Sequence, residues 1–212
     1  MLVLAISPDR YVEHKNLLKQ MHQLRANVFG RRLEWDVTIT DGCERDQFDD
    51  LKPTYIVATF RGNKVIGCAR LLPAVGPTML ERIFPQLLAN GSLNATCAMI
   101  ESSRFCVDTS LPAGRGGGQL HHATLTMFAG IIEWSMANGY DKIVTATDLR
   151  FERILNRAGW TMARLGEPVA IGNTVAIAGT LPADQESFKQ VRPPNYRSAL
   201  FCTDDHSERS AA

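Results

Sequence analysis

The pattern of apolar and polar residues predicts short strands that alternate with helices. An apolar run at residues 2–6 predicts a first strand, and apolar side chains at helical spacing predict an amphipathic helix over residues 11–28. Two β-rich runs follow at residues 54–60 and 64–73, joined by "RGNK". Because Gly62-Asn63 suits a tight turn, these two runs predict an antiparallel hairpin.

The second half of the chain continues the alternation. Residues 98–108 predict a third strand of this kind, in which polar residues interrupt an apolar frame, and residues 119–138 predict a mostly buried helix closed by Asn138-Gly139. A strand at 142–146, a helix at 149–159 and a strand at 175–179 follow. This order predicts an α/β (α+β) fold, with a mixed, twisted sheet flanked by helices.

Length and composition predict one folded domain. The chain has 212 residues, of which 45% are hydrophobic and 21% charged, enough to bury a core of ordinary domain size. We assign residues 1–202 to that domain. The tail from 203 to 212 lacks large apolar side chains, so we expect it to be disordered.

Charge and cysteine content narrow the function classes. A formal net charge of +1 gives no overall attraction to nucleic acid or membrane, so an acidic partner needs a local basic cluster. The five cysteines include no C-x-x-C pair, which argues against a disulfide framework and a zinc site. We expect no metal. With no apolar stretch near twenty residues long, we expect a cytoplasmic protein.

The stretch "IESSRF" places polar side chains on a strand. Regular alternation sends Glu101 and Ser103 to one face and Ser102 and Arg104 to the other. An unpaired buried carboxylate is costly, so Glu101 is paired, solvated in a cavity or used as a base. The alternative is an ordinary salt bridge on an edge strand.

The acidic stretch "DGCERDQFDD" at residues 41–50 is by itself typical of a solvated loop. Its importance grows because Arg25, Arg70 and Arg104 lie within apolar elements, and buried arginines require carboxylate partners. Asp46 and Asp49 are natural candidates for that pairing.

Other common chemistries find little support. His121 and His122 are adjacent on a predicted helix, so they point in different directions and do not form a metal pair. The chain has no G-x-S-x-G motif, and no serine or cysteine is flanked by an obvious base. Covalent catalysis by a protein nucleophile is therefore disfavoured.

Nine polar and aromatic positions together resemble the signature of the acyl-homoserine-lactone synthases, the autoinducer synthases of bacterial quorum sensing. They are Arg25, Phe29, Trp35, Asp46, Asp49, Arg70, Glu101, Ser103 and Arg104. Segments such as "GCARLLP", "PTMLERIFPQLL" and "ESSRFCVD" resemble the same family, above all the TraI-type synthases of plant-associated bacteria, which are known for a 3-oxo-octanoyl product.

The resemblance implies a fold similar to the N-acetyltransferases and a two-step reaction. The amine of S-adenosylmethionine takes an acyl chain from acyl carrier protein, and its carboxylate then closes a lactone and expels methylthioadenosine. S-adenosylmethionine is thus a substrate, and no cofactor is expected. The implied catalytic residues are Glu101, Ser103 and Arg104, with Glu101 as the candidate base.

The resemblance also assigns the substrate sites. The S-adenosylmethionine site or its ion-pair network takes Arg25, Phe29, Trp35, Asp46, Asp49, Arg70, Ser103 and Arg104. For Phe29 and Trp35 the alternative is core packing. An acyl tunnel would be lined by Met79, Phe84, Leu125 and Phe128, which are equally consistent with ordinary core. Thr145 matches a family threonine associated with 3-oxo chains.

Acyl carrier protein is acidic, so its docking requires a basic patch. Arg150, Arg153 and Arg157 are spaced three and four apart and share a helix face, with Arg164 just beyond it. A solvated helix face is the alternative.

Two rival functions remain: an N-acetyltransferase that uses an acyl-CoA donor, and a noncatalytic ligand sensor on the same fold. The acetyltransferase phosphate loop has the form Arg or Gln, two residues, Gly, one residue, then Gly or Ala, before a helix. Arg115 and Gly118 match its start, but Leu120 occupies the last position. The mismatch favours the synthase and leaves the glycine-rich residues 114–118 as a degenerate phosphate loop or a flexible turn.

Overall fold

A single eight-stranded sheet forms the centre of the protein. The structure is a computed structural model and describes residues 1–110 and 120–200. The strands of the main sheet are β1 (Leu2–Ile6), β4 (Thr54–Phe60), β5 (Lys64–Pro73), β6 (Met99–Val107), β7 (Lys142–Asp148), β8 (Ala163–Arg164), β9 (Val169–Ile171) and β10 (Thr174–Pro182). A separate hairpin is formed by β2 (Ile39–Thr40) and β3 (Cys43–Glu44).

Five α-helices accompany the strands in the described residues. They are α1 (Lys15–Arg25), α2 (Met79–Ile83), α3 (His122–Ala137), α4 (Leu149–Arg157) and α5 (Gln185–Val191). The strand order is β1-β4-β5-β6-β7-β10-β8, with β9 also paired to β10. All neighbours are antiparallel except β6 and β7, which run parallel. The predicted mixed sheet with helices on its faces is therefore confirmed.

The parallel pair in the middle of the sheet is short. Met99–Glu101 pairs with residues 142–144, and the ladder of β6 and β7 ends there. One residue further on, the Thr145 hydroxyl donates a hydrogen bond to the Ser102 carbonyl oxygen at 2.8 Å. Glu101 thus lies where the two central strands stop pairing.

Alternation along the strands separates the core into two layers. Ile56 and Ala58 pack with the long helix α3, whereas Tyr55 and Val57 pack on the opposite face with α1. On the Glu101 side of β6, Met99 joins a third cluster with Leu80, Leu87 and Val144, beside α2. Helix α2 and the site described below therefore lie on the face opposite α3.

The first helix differs from its prediction in extent. Residues 8–10 form a 3₁₀ turn, α1 begins at Lys15, and the chain then widens into a π-helix over Ala26–Arg32. A π-helix rotates side chains relative to an α-helix, and such irregular turns are frequent at functional sites. The end of α3 follows the prediction: Asn138 is its C-cap residue and Gly139 has φ 79°.

Some features lie outside the elements predicted from sequence. The short strands β2, β3, β8 and β9 and helices α2 and α5 are too brief or too polar for a clear periodicity. The glycine-rich residues 114–118 and the tail 203–212 lie outside the described residues. Within 1–110 and 120–200, no helix has the length and apolar character needed to cross a membrane, and no group of His, Cys, Asp or Glu could hold a metal ion.

Candidate active site

Six side chains of alternating charge form a closed ring on the α1 face of the sheet, here called the charge ring. Its members, in order around the ring, are Arg25, Glu44, Arg104, Asp46, Arg70 and Asp49. Each arginine contacts two acids and each acid contacts two arginines. The expected pairing of the three arginines with Asp46 and Asp49 is confirmed, and Glu44 is the third acid.

The contacts of Arg25 are the most buried part of the ring. Its Nε lies 2.5 Å from Glu44 Oε2, and its two terminal nitrogens donate to both oxygens of Asp49 at 2.7 and 2.8 Å. Arg25 and Glu44 are fully buried, and Asp49 is 4% exposed. Charges so far from water are tolerated only when every one is paired and hydrogen-bonded, so the ring holds its members as a unit.

The other half of the ring reaches strands β5 and β6. Arg70 Nη1 lies 2.5 Å from Asp46 Oδ1 and 3.1 Å from Asp49 Oδ1, and Arg70 Nε donates to Ser103 Oγ at 3.1 Å. Arg104 closes the ring, with Nε 3.0 Å from Glu44 Oε1 and Nη2 2.8 Å from Asp46 Oδ2.

Local structure fixes the two aspartates relative to each other. Asp46 begins a 3₁₀ turn over Gln47–Asp49, and its side chain accepts a hydrogen bond from the Phe48 amide. Asp49 reciprocates by accepting from the Asp46 amide at 2.9 Å. This reciprocal capping satisfies backbone donors at the turn and orients both carboxylates toward the arginines.

Arg104 departs from the regular alternation predicted for β6. Its φ is 53°, in the left-handed region, and the β5–β6 register shifts by one residue between Cys68 and Arg70. This bulge places an extra residue in β6, so Arg104 and Ser103 both contact the charge ring instead of facing opposite ways. The predicted division of Ser103 and Arg104 between two faces is wrong for that reason. A left-handed non-glycine residue is strained and is held here by its two ion pairs.

Glu101 is paired with backbone donors, not with an arginine. Its two carboxylate oxygens accept from the amides of Met79 and Leu80, at 3.0 and 2.7 Å, at the start of α2. Strand β6 is interior to the sheet, so the alternative of an edge-strand salt bridge is wrong. Burial raises the pKa of Glu101, and the hydrogen bonds from Leu80 and Met79 offset only part of that rise.

A thioether and two aromatic rings complete the surroundings of the ring. Met79 Sδ lies 3.3 Å from Arg104 Nη1 and 3.6 Å from Arg70 Nη2. Phe29 is buried beneath Arg104, with 5.5 Å between the guanidinium carbon and the Phe29 ring centroid. The Phe29 ring stacks on Trp35, with ring centroids 5.2 Å apart. Trp35 is 37% exposed, so this aromatic pair extends from the core to the surface.

The residues expected to line one acyl tunnel do not lie together. Met79 contacts the charge ring, and Phe84 packs in the cluster beside α2. Leu125 and Phe128 lie on α3 across the sheet. Phe128 is 1% exposed and packs in an aromatic core with the rings of Phe105, Phe151 and Trp160.

The three arginines expected at a docking site lie on one helix. Arg150, Arg153 and Arg157 are all exposed on α4. Arg164 forms a two-pronged ion pair with Glu152, at 2.7 and 2.8 Å. Glu152 therefore balances the positive charge of Arg164. Sequence spacing alone did not predict this pair.

Sequence reasoning missed three contributors to the site. Glu44 was only one acid among several in its stretch, although it bridges Arg25 and Arg104. Phe48 lies beneath Arg70, with 5.3 Å between the guanidinium carbon and the ring centroid. The Tyr55 hydroxyl donates to Asp49 Oδ1 at 2.7 Å. Tyr55 and Arg70 are direct cross-strand partners, but the sequence predicts only the hairpin and not its register, which shifts between Ala58 and Thr59.

Similar proteins assign the chain with this fold and charge ring to one family of acyltransferases. The model of the autoinducer synthase family matches residues 9–191, and the chain belongs to that family. It is 72% identical over 212 residues to an acyl-homoserine-lactone synthase of Rhizobium radiobacter, covering all of both chains. It is 67% identical over 198 residues to one of Agrobacterium fabrum, covering 93% of this chain and 94% of the relative.

Solved structures support the same fold. The CoA-dependent acyl-homoserine lactone synthase BjaI, solved with SAM and isopentyl-CoA, superposes with a TM-score of 0.82 at 23% identity, covering 95% of each chain. An N-acetyltransferase structure from Lactobacillus plantarum gives a TM-score of 0.56 at 14% identity, covering 86% of this chain and 97% of its own. The expected likeness to N-acetyltransferases is confirmed. The protein is an acyltransferase that makes an acyl-homoserine lactone, the product of quorum-sensing autoinducer synthesis.

Asp49 gives the charge ring a pH dependence. Burial raises the pKa of Asp49, but the hydrogen bonds and charges of Arg25 and Arg70 outweigh it and lower the pKa overall. A carboxylate whose pKa is lower in the folded state stabilises the fold above its unfolded pKa of about 4, and this contribution is lost as the pH falls. At pH 7 we expect Asp49→Asn to lower the free energy of unfolding by about 3–5 kcal/mol, because it leaves buried arginines unbalanced.

Urea denaturation at pH 7, 5 and 3.5 tests this expectation. The difference between wild type and Asp49→Asn should shrink as the pH falls, whereas Asp50→Asn, at a side chain 78% exposed, should change little at any pH. A difference that stays constant from pH 7 to 3.5 would contradict the assignment of this acid dependence to Asp49.

Proposed function

We propose that the protein transfers an acyl chain from acyl carrier protein to the amine of S-adenosylmethionine and then closes the lactone. In the first step the deprotonated amine attacks the thioester carbon, the C–N bond forms, and the C–S bond breaks to release the carrier thiol. In the second step a carboxylate oxygen of the same substrate attacks the carbon next to the sulfonium. The neutral thioether methylthioadenosine leaves.

The position of Glu101 carries this proposal. An ammonium group must lose its proton before it can attack a thioester, and a carboxylate nearby, directly or through a water, serves as the base. Glu101 is buried beside the ring, and its raised pKa makes it a stronger base than an exposed glutamate. Each of its oxygens accepts one backbone hydrogen bond, so each retains a lone pair for a proton.

The charges and aromatic rings suit S-adenosylmethionine. The charge ring is formally neutral, and Glu101 adds one negative charge, which favours a ligand that carries a sulfonium and an ammonium. Arg70 and Arg104 each direct one terminal nitrogen toward the weak acceptor Met79 Sδ, where a substrate carboxylate would be a far better partner. The Phe29–Trp35 stack offers a wall for an adenine or a sulfonium. The structure of BjaI with SAM supports the choice of substrate by analogy.

The acyl donor is the next question, since BjaI is described as CoA-dependent. We favour acyl carrier protein because Arg150, Arg153 and Arg157 form an exposed basic face on α4 in a chain with almost no net charge. Helix α4 follows directly from β7, one of the two strands that separate beside Glu101. A carrier docked there would have a short path to the site.

For the acyl chain we propose a 3-oxo group and medium length. Thr145 is partly buried beside the separation of β6 and β7, and its hydroxyl donates to the Ser102 carbonyl. A hydroxyl has one proton, so binding a 3-oxo oxygen requires that it turn away from Ser102. Selectivity for 3-oxo chains would then depend on how much more strongly the Thr145 hydroxyl binds the 3-oxo oxygen than the Ser102 carbonyl.

Replacing the base should stop the reaction. We expect Glu101→Gln to lower kcat by about a hundredfold or more, measured by mass spectrometry of the lactone formed from S-adenosylmethionine and acyl carrier protein thioesters. The matched control is Glu81→Gln, since Glu81 lies on α2, the helix whose first amides bind Glu101, and likewise accepts a backbone amide, from Leu93 at 3.0 Å.

The pH profile separates a base from a structural role. The wild-type rate should fall on the acid side around a pKa above that of an ordinary glutamate, because protonation of Glu101 removes the base. Equal losses in Glu101→Gln and Glu81→Gln, or no lactone from the wild type with any donor, would count against the proposal.

Charge reversal on α4 tests the donor. Arg153→Glu with Arg157→Glu should raise the KM for acyl carrier protein by about tenfold or more while leaving the KM for S-adenosylmethionine unchanged. Lys15→Glu with Lys19→Glu is the matched control, because these exposed residues have the same spacing on α1 across the sheet. A turnover with acyl-CoA as efficient as with acyl carrier protein, and insensitive to α4, would favour a CoA donor.

The Thr145 hydroxyl can be tested with a donor panel. We expect Thr145→Val to lose several-fold preference for 3-oxo over unsubstituted acyl chains of equal length, whereas Thr145→Ser keeps it. The measurement is the ratio of kcat/KM for paired donors of six to ten carbons. If Thr145→Val leaves that ratio unchanged, the selectivity lies elsewhere.

A further inference from the structure

One carboxylate oxygen of the charge ring gathers more donors than any other. Asp49 Oδ1 accepts from Arg25 Nη1 at 2.7 Å, from Arg70 Nη1 at 3.1 Å and from the Tyr55 hydroxyl at 2.7 Å. The other oxygen of Asp49 accepts from Arg25 Nη2 at 2.8 Å and from the Asp46 amide at 2.9 Å. Of these five donors, three belong to arginines and one is a backbone amide, so the Tyr55 hydroxyl is the one uncharged side-chain donor.

Strand pairing also aligns Tyr55 with two residues of the site. Tyr55 on β4 is the direct partner of Arg70 on β5, and Arg70 is the direct partner of Ser103 on β6. The three side chains form one row across three strands, and Arg70 contacts Ser103 at one side and the acceptor of Tyr55 at the other. A rotation of the Asp49 carboxylate would therefore move Arg70 within this row.

We propose that Tyr55 is a positioning residue for substrate binding: its hydroxyl sets the rotation of the Asp49 carboxylate and thereby holds Arg70 in place. The inference rests on the proposed function, in which Arg70 binds S-adenosylmethionine. Tyr55 does not touch the reacting atoms. Its effect passes from the hydroxyl through Asp49 to the guanidinium.

The ring of Tyr55 and its hydroxyl make separate contacts, so the hydroxyl can be removed while the ring stays packed. Tyr55 is 2% exposed, and its ring packs against His22 edge-on and against Tyr11, with centroids 6.0 and 5.9 Å apart. Burial beside the Asp49 charge raises the pKa of Tyr55 well above its usual value, so the hydroxyl remains a donor. Phenylalanine in this place keeps these ring contacts and loses the hydroxyl, with its hydrogen bond to Asp49 and its contact with the Tyr11 hydroxyl.

The experiment compares Tyr55→Phe with Tyr196→Phe. Tyr196 also donates its hydroxyl to a carboxylate, Glu133 Oε2 at 2.6 Å, but on the C-terminal segment beside α3. We expect Tyr55→Phe to weaken S-adenosylmethionine binding about tenfold, by calorimetry and by KM, with the KM for the acyl donor unchanged. Tyr196→Phe should leave both KM values unchanged even where its loss of stability in urea is equal.

Three results would overturn the role of Tyr55: unchanged S-adenosylmethionine affinity in Tyr55→Phe, an equal rise in both KM values, or the same shift in Tyr196→Phe. Failure of the proposed function would look different. Wild-type protein would then show no S-adenosylmethionine binding in the calorimeter and form no lactone, whatever residue stands at position 55.

Discussion

The need to balance buried charge governs this structure. Three arginines and three acids lie on one face of the sheet, and Arg25, Arg70 and Glu44 have no exposed surface at all. Each charge is stable there only because two opposite charges contact it. The ring therefore ties α1, the segment around residues 43–50 and the central strands into one arrangement, and a displaced member would leave others unpaired.

That constraint explains the irregular backbone around the site. The π-helix after Arg25 and the left-handed Arg104 both cost free energy compared with regular structure. The β6 bulge brings Arg104 to Glu44 and Asp46, and the two ion pairs formed there compensate for the strain. Backbone strain and charge pairing therefore occur together at Arg104, a residue of the proposed substrate site.

The site joins a fixed network of polar contacts to the point where β6 and β7 stop pairing. The ring and the two backbone donors to Glu101 fix the proposed base and the amino-acid site in advance, which is the condition for efficient positioning of a nucleophile. Beside them the β6–β7 ladder ends after three residue pairs, and the proposed function places the acyl chain next to that point, at Thr145. In the proposed function, one sheet thus supplies both the polar clamp and the place for the acyl chain.

The sequence by itself determined the mixed sheet, the main helices and the pairing of buried arginines with acids, because periodicity and the cost of unpaired charge act locally or by residue type. Its resemblance to the family rested on residue identities alone. Only the tertiary structure decided that Glu44 closes the ring, that Glu101 binds the start of α2, and that Tyr55 reaches Asp49. It also separated Phe128 from Phe84 across the sheet. Such contacts join residues far apart in the chain, and a single bulge reverses which face a side chain takes, so strand register had to be known first.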